Sequence, residues 1–212
     1  MFTTGISPAT QTVLAVLAKV DFVKNYYLAG GTAAALYYGH RVSYDLDFFS
    51  PDPLPSYRIT EILQGVRKLQ VDQEQEGTWL GHLDGVKLSF FVHPYPEVGK
   101  EGTWNGIRIA SKLDIACMKL EAIGSRGIKR DFVDMYYLCQ DIGLGMVFEA
   151  ARQKYAKANM SEMHFLRSLT YFVEAENGSA GEPNMIHELD WEKIKRYFEA
   201  EVKRLAKEWN LT

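Results

Sequence analysis

Apolar residues recur along this chain with two different periods, and the change between them divides it. Val13, Leu14, Leu17 and Val20 fall at helical spacing behind Ser7-Pro8, a capping serine with proline at the first helical position. Tyr26–Ala29 reads as a short strand, Gly30-Gly31 as a turn, Thr32–Tyr38 as a helix and Asp45–Phe49 as a second strand. The breaker-rich Ser50-Pro-Asp-Pro-Leu-Pro55 closes that run. Ile59, Ile62, Leu63, Val66 and Leu69 mark another amphipathic helix. Strand character then takes over at Gln70–Gln75, Thr78–Leu83 and Val86–Val92, split by Glu76-Gly77 and by Asp84-Gly85, the latter a hairpin signal. One more short strand is expected at Gly106–Ala110. From Ser111 onward the period is helical, with helices expected at about 111–124, 129–141, 145–157, 161–176 and 190–209. The last carries Trp191, Ile194, Phe198, Val202 and Leu205 on one face, and the polar stretch Glu176–Pro183 reads as a loop. The pattern predicts an α/β lobe over 1–110 and a helical lobe over 111–212. A cleft between such lobes is a common place for a ligand.

Composition narrows the function classes. The 212 residues are 47% hydrophobic and 24% charged, as in ordinary soluble domains. A net charge of -3 rules out a global basic field, so any nucleic-acid partner needs a local basic patch. Cys117 and Cys139 both sit in apolar-patterned helices and read as buried thiols of a reducing cytosol. No apolar run reaches the ~18 residues that cross a bilayer. The start, Met-Phe-Thr-Thr-Gly-Ile-Ser-Pro, lacks the basic-then-apolar order of a secretory signal. A cytoplasmic location without a membrane partner is the expectation.

The candidate chemistry gathers in Tyr27–Phe49. Gly30 and Gly31 have no side chain to block close approach, so their amides and those opening the Thr32 helix suit phosphate oxygens, with the Thr32 hydroxyl beside them. Asp45 and Asp47 are two apart in a strand and project from one face, where like charges favour a divalent cation between them. Each feature also has a plain structural reading: a strand-to-helix turn for the glycines, and solvent-facing strand-end acids for the aspartates. No Walker lysine follows Gly31, no G-x-S-x-G occurs, and the histidines show no zinc spacing.

The segment resembles the polymerase-β-like nucleotidyltransferase superfamily, whose first motif is Gly-Gly or Gly-Ser, a spacer, then Asp-x-Asp or Asp-x-Glu. The closer resemblance is to the nucleotidyltransferase AbiEii/AbiGii toxin family, through Arg41-Val-Ser43-Tyr-Asp45-Leu-Asp47-Phe-Phe. Lys87-Leu88-Ser89 takes the place of that family's Lys-x-Asp/Glu strand motif. Lys119 takes the place of its helical lysine, and Arg130-Asp131-Phe-Val-Asp134 of its Arg-Asp-x-x-Asp. Together these cover residues 27 to 138 in order. Ser89 is a departure, standing where the family has a third carboxylate.

The resemblance implies an α+β fold: a nucleotidyltransferase core of small mixed sheet and flanking helices, followed by the helical lobe. It implies a Mg2+-dependent enzyme, with Mn2+ as a substitute. Asp45 and Asp47 would hold the metal, and Asp45, Asp47, Lys87, Lys119 and Asp131 would form the catalytic set. Gly30, Gly31, Thr32, Arg41, Ser43, Lys87 and Lys119 would meet the nucleotide and its phosphates. Asp131 would hold Lys119 or Arg130 in place. The implied substrate is a nucleoside triphosphate, the acceptor an RNA (tRNA included) or a protein, and the role the toxin of a toxin–antitoxin or phage-defence pair with a cognate antitoxin. Two further readings stand beside it. One is a catalytically weakened nucleotide- or RNA-binding module, suggested by Ser89, and the other a small-molecule, antibiotic-type nucleotidyltransferase. The residues of the helical lobe have bland readings too: Ser111-x-x-Asp114 is a capping pattern, and a lysine beside an apolar face often only extends its stem over it.

Overall fold

A computed structural model of the chain describes residues 1–158, 160–178 and 181–210. It divides at Ser111/Lys112 into two units. The first contains helix α1 (Pro8–Leu17), strand β1 (Tyr27–Leu28), α2 (Gly30–Tyr38), β2 (Leu46–Ser50) and α3 (Ser56–Gln64). Five strands follow: β3 (Leu69–Gln75), β4 (Thr78–Leu83), β5 (Val86–Val92), β6 (Gly102–Trp104) and β7 (Ile107–Ile109). The Ser7 hydroxyl accepts the Thr10 N–H at 3.1 Å, so α1 starts with the cap its sequence predicts.

Among the described residues one mixed seven-stranded sheet forms, in the order β3-β4-β5-β2-β1-β7-β6. β5 runs parallel to β2 and β7 parallel to β1; the other pairings are antiparallel. Strand alternation sorts the two sheet faces. Leu46, Phe48, Leu88, Phe90 and Trp79 are buried. Phe48 stacks on Phe90 at 5.3 Å, and Trp79 and Tyr26 meet Phe90 edge-on. That apolar face is the core, so Asp47 and Phe49 must point the other way.

Several boundaries differ from expectation. α2 begins at Gly30 rather than Thr32, because Gly30 takes a positive φ of 65° and turns β1 directly into the helix. α3 stops at Gln64, capped by Gly65, so Val66 lies beyond it and Leu69 opens β3. β2 starts at Leu46, one residue after Asp45. Strand β6 was not expected. It pairs with β7 across Asn105-Gly106, whose φ values of 47° and 85° fit a two-residue hairpin turn, a signal present in the sequence.

The N-terminal segment straps the loop between α2 and β2. Gly5 accepts the Ser43 N–H at 2.9 Å, and Ile6 bridges Ser43. A Cβ at Gly5 would collide with the Ala35 carbonyl of α2, backbone that cannot step aside. Gly5→Ala is therefore expected to lower stability by about 1–3 kcal/mol. Urea denaturation checks this, and an unchanged midpoint would contradict it.

The second unit is helical: α4 (Lys112–Ser125), α5 (Lys129–Ile142), α6 (Leu144–Lys154), α7 (Glu162–Ser168), α8 (Val173–Glu176) and α9 (Trp191–Glu208). Phe132 centres its core, within 5.2 Å of Phe172, 6.0 Å of Trp191 and 5.7 Å of Phe198, ring to ring. The single helix expected over 161–176 is two. Around the break, the Ser168 hydroxyl bonds the His164 carbonyl and the Thr170 hydroxyl bonds the Arg167 carbonyl, competing with the helical ladder. Positions 179 and 180 of the loop expected at 176–183 lie outside the described residues. Cys117 and Cys139 are buried free thiols, and burial pushes both up to about 12. Among the described residues no helix is long and apolar enough to cross a membrane.

Candidate active site

The first unit builds the site from one helix start and two strand registers. Ala29 donates its N–H to the Asp47 carbonyl at 3.0 Å, which fixes β1 beside β2 just before α2 begins. The opening turn of α2 then lies beside the Asp47 side chain. A Cβ built on Gly30 would stand 2.9 Å from Asp47 Oδ2, and one on Gly31 would run into the Arg41 guanidinium. Glycine is thus required at position 30 by its φ, while at position 31 a side chain would displace the Arg41 guanidinium. The first amides of a helix have no internal acceptors and carry its positive dipole end, so α2 presents donors next to a carboxylate.

The loop before β2 is held from inside. The Thr32 hydroxyl is buried, lies 2.9 Å from the Ser43 hydroxyl and also bonds the Asp45 carbonyl. Arg41 and Ser43 are buried too, whereas Asp45 and Asp47 are half-exposed. Thr32 and Ser43 therefore clamp the backbone that delivers Asp45. In the parallel β2–β5 register Asp47 stands directly opposite Ser89. Ser89 is 2% exposed, and Lys87, two residues earlier on the same face of β5, is exposed. The structure thus brings Gly30, Gly31, Thr32, Arg41, Ser43, Asp45, Asp47, Lys87 and Ser89 into one region.

Lys119 and Asp131 belong to a separate network within the second unit. The Lys119 ammonium sits 2.9 Å from Asp131 Oδ1 and 2.7 Å from Asp134 Oδ2, with both carboxylates fully buried. Arg126, half-exposed, reaches Asp131 through Nε at 2.8 Å and Nη2 at 3.0 Å. Arg126 takes the place expected of Arg130, because α5 begins at Lys129 and the α4–α5 turn folds Arg126 back onto its first turn. Burial opposes ionisation of Asp131, yet the Lys119 and Arg126 charges outweigh it and hold the carboxyl below its ordinary value. Two cations thus face two carboxylates.

The sequence profile described as "Nucleotidyl transferase AbiEii toxin, Type IV TA system" matches residues 12–79, which span α1 through β4. An uncharacterized protein of Aquifex aeolicus (strain VF5) is 35% identical over 195 residues, covering 88% of this chain and 91% of that one. The chain belongs to the AbiEii nucleotidyltransferase toxin family. Solved structures agree on its architecture. MenT4, a nucleotidyltransferase toxin of Mycobacterium tuberculosis H37Rv, superposes with a TM-score of 0.60 at 14% identity, over 92% of this chain and 83% of MenT4. JHP933 of Helicobacter pylori gives 0.56 at 15% identity, over 96% and 94%. The antibiotic-resistance factor ANT(2'')-Ia gives 0.52 at 17%, over 71% and 94%. At these identities the likeness is one of fold.

The oxygen donors of Asp45 and Asp47 are of the kind that magnesium takes. Magnesium takes one or two carboxylates, keeps waters and completes its shell with substrate phosphates. Asp45 and Asp47 would offer the carboxylates, with the opening turn of α2 beside Asp47. Among the described residues no group of three or more His, Cys, Asp and Glu that could hold a metal stands together.

Besides the Arg126 pairing, a second ion pair escapes the sequence reading. Lys154 is fully buried and pairs with fully buried Asp114 at 2.8 Å. Asp114 thus carries an ion pair that its capping pattern did not reveal. Val147, Ala151 and Lys154 follow helical spacing, so the lysine's place on an apolar face was a readable signal.

Proposed function

We propose that this chain transfers a nucleotide from a nucleoside triphosphate to an RNA acceptor, tRNA included, or to a protein. It would act as the toxin of a toxin–antitoxin or phage-defence pair, restrained in the cytoplasm by a cognate antitoxin. The observation that carries the reading is the placement of Asp47 Oδ2 beside Gly30, which sets a carboxylate next to the N-terminus of α2. Asp45 and Asp47 hold Mg2+ (or Mn2+), which when bound neutralises charge on the triphosphate. The α2 amides of Gly30, Gly31 and Thr32 receive phosphate oxygens, and Arg41 adds charge beside Gly31. Ser43 and Thr32 keep Asp45 in position. Exposed Lys87 offsets charge on the departing pyrophosphate. Positioning and electrostatics dominate phosphoryl transfer, and this set supplies both.

The test is label transfer from each α-labelled nucleoside triphosphate to total bacterial RNA or protein with Mg2+, beside Asp45→Ala/Asp47→Ala. Label that vanishes in the double variant supports the reading; label that persists overturns the metal assignment. The serine opposite Asp47 favours a second reading, a nucleotide-binding module without turnover, which predicts nucleotide binding and no label.

Ser89→Asp gives an independent measure of the metal site. Its carboxylate would face Asp47 across the strand pair in a buried position, so without metal the variant should lose at least about 1 kcal/mol of stability. Millimolar Mg2+ should restore more melting temperature to the variant than to the wild type. Equal Mg2+ effects in both proteins would argue against a metal at Asp47.

A further inference from the structure

The strand registers that align Asp47 with Ser89 place a second, aromatic row immediately beyond them. Phe49 follows Asp47 and Phe91 follows Ser89, each two residues on and so on the same face, and the two phenylalanines are paired in the ladder. Their rings stack at 5.4 Å with 29° between planes. Tyr27, in register with Phe49 from the other side, stacks on it at 6.1 Å and 24°. His93 braces the row: its ring meets Phe49 edge-on at 5.7 Å, and its Nδ1 lies 2.8 Å from the Tyr27 hydroxyl. Tyr27 and His93 are buried, while Phe49 and Phe91 keep part of their surface open. A core role does not explain the row, because the core-facing positions of the same strands are Phe48 and Phe90.

We propose that Phe91, with Phe49 stacked against one face of its ring, forms a stacking ledge for the terminal nucleobase of a nucleic-acid acceptor. This rests on the nucleotidyltransferase reading above. The glycine turn that suits phosphates lies on the β1 side of Asp47, and Ser89 and Phe91 lie on its β5 side. Attacking and leaving oxygens stand roughly in line across the transferred phosphorus. With pyrophosphate departing toward α2, the attacking hydroxyl approaches from the β5 side, above Phe91. Two residues of strand span about 7 Å, which matches the reach from a terminal ribose hydroxyl to its own base. Every base offers a π face to a rigid aromatic, so the ledge tolerates sequence. A protein hydroxyl brings nothing to stack, and the ledge therefore favours RNA among the acceptor classes.

The test uses the full chain and a short RNA carrying 2-aminopurine as its 3′-terminal base, whose fluorescence falls on stacking. Wild type and Asp45→Ala should both quench it, and Phe91→Leu, which keeps apolar bulk without a π face, should not. Phe91→Trp should restore quenching. In label transfer, Phe91→Leu should raise the acceptor KM by roughly ten-fold and leave the nucleotide KM and the melting temperature near wild type. Quenching equal in wild type and Phe91→Leu overturns the ledge, whatever the transfer assay shows. A raised nucleotide KM in place of a raised acceptor KM also overturns it, by assigning the ring to the incoming base. Quenching that depends on Phe91 without any label transfer would uphold the ledge and refute the enzyme reading. The two proposals therefore fail separately.

Discussion

Asp47→Asn is expected to lower nucleotide transfer by at least about a thousand-fold, the scale of several kcal/mol of lost metal-borne charge stabilisation. The change keeps the side-chain volume beside Gly30, where a Cβ would stand only 2.9 Å from Asp47 Oδ2. Leu46 and Phe48, which anchor β2 in the core, point away from it. The fold should hold, with stability within about 1 kcal/mol of wild type, as for surface substitutions generally. The measurement is the label-transfer rate beside a thermal melt. A rate within ten-fold of wild type would mean that Asp47 is not a metal ligand. A collapsed melt would mean that the carboxylate is chiefly structural.

Lys119→Met should produce the largest loss of stability. It removes the cation between Asp131 and Asp134, both fully buried, and leaves Asp134 without the ammonium 2.7 Å away. Breaking a buried ion pair from one side costs about 3–5 kcal/mol. At a typical 2–4 °C per kcal/mol for a chain of this size, the melting temperature should fall by roughly 10 °C. The pH dependence follows from Asp131, whose carboxyl is held below the ordinary 3.8. A depressed carboxyl contributes stability that is complete above its unfolded value and disappears as pH falls through the folded value. The gap between wild type and variant should therefore be widest near neutral pH and narrow below about pH 4. A gap that stays constant down to acid pH would show that lost packing, not charge, is what the variant measures. Arg126→Met, at a half-exposed partner of the same carboxylate, should cost far less.

The grouping of the candidate site residues was legible in the sequence because they are local. Gly30, Gly31, Asp45 and Asp47 fall within a single β–α–β run, where spacing alone dictates which side chains share a face. The opposition of Ser89 to Asp47 was not legible, since parallel pairing of β2 with β5 depends on register across three intervening elements. The aromatic row was hidden for the same reason: a phenylalanine pair in each strand reads as core until the sheet decides which ring faces in. Arg126 and Lys154 were missed differently. Both answer to charges on another helix, and the helical period reports a face without naming its partner. The break after Ser168 was lost because hydroxyl side chains that bond back to the helix leave the apolar period intact.

The placement of the thiols has a practical use. Both cysteines of the chain belong to the helical unit, on α4 and α5, and neither presents a reactive thiolate while its helix stays packed. Alkylation of the native protein must then wait for those helices to open, and its rate is a clock for that opening alone. The sheet unit carries no thiol and contributes nothing to the signal. Timed labelling with and without nucleotide, antitoxin or RNA would report which of them steadies the helices, with no introduced probe.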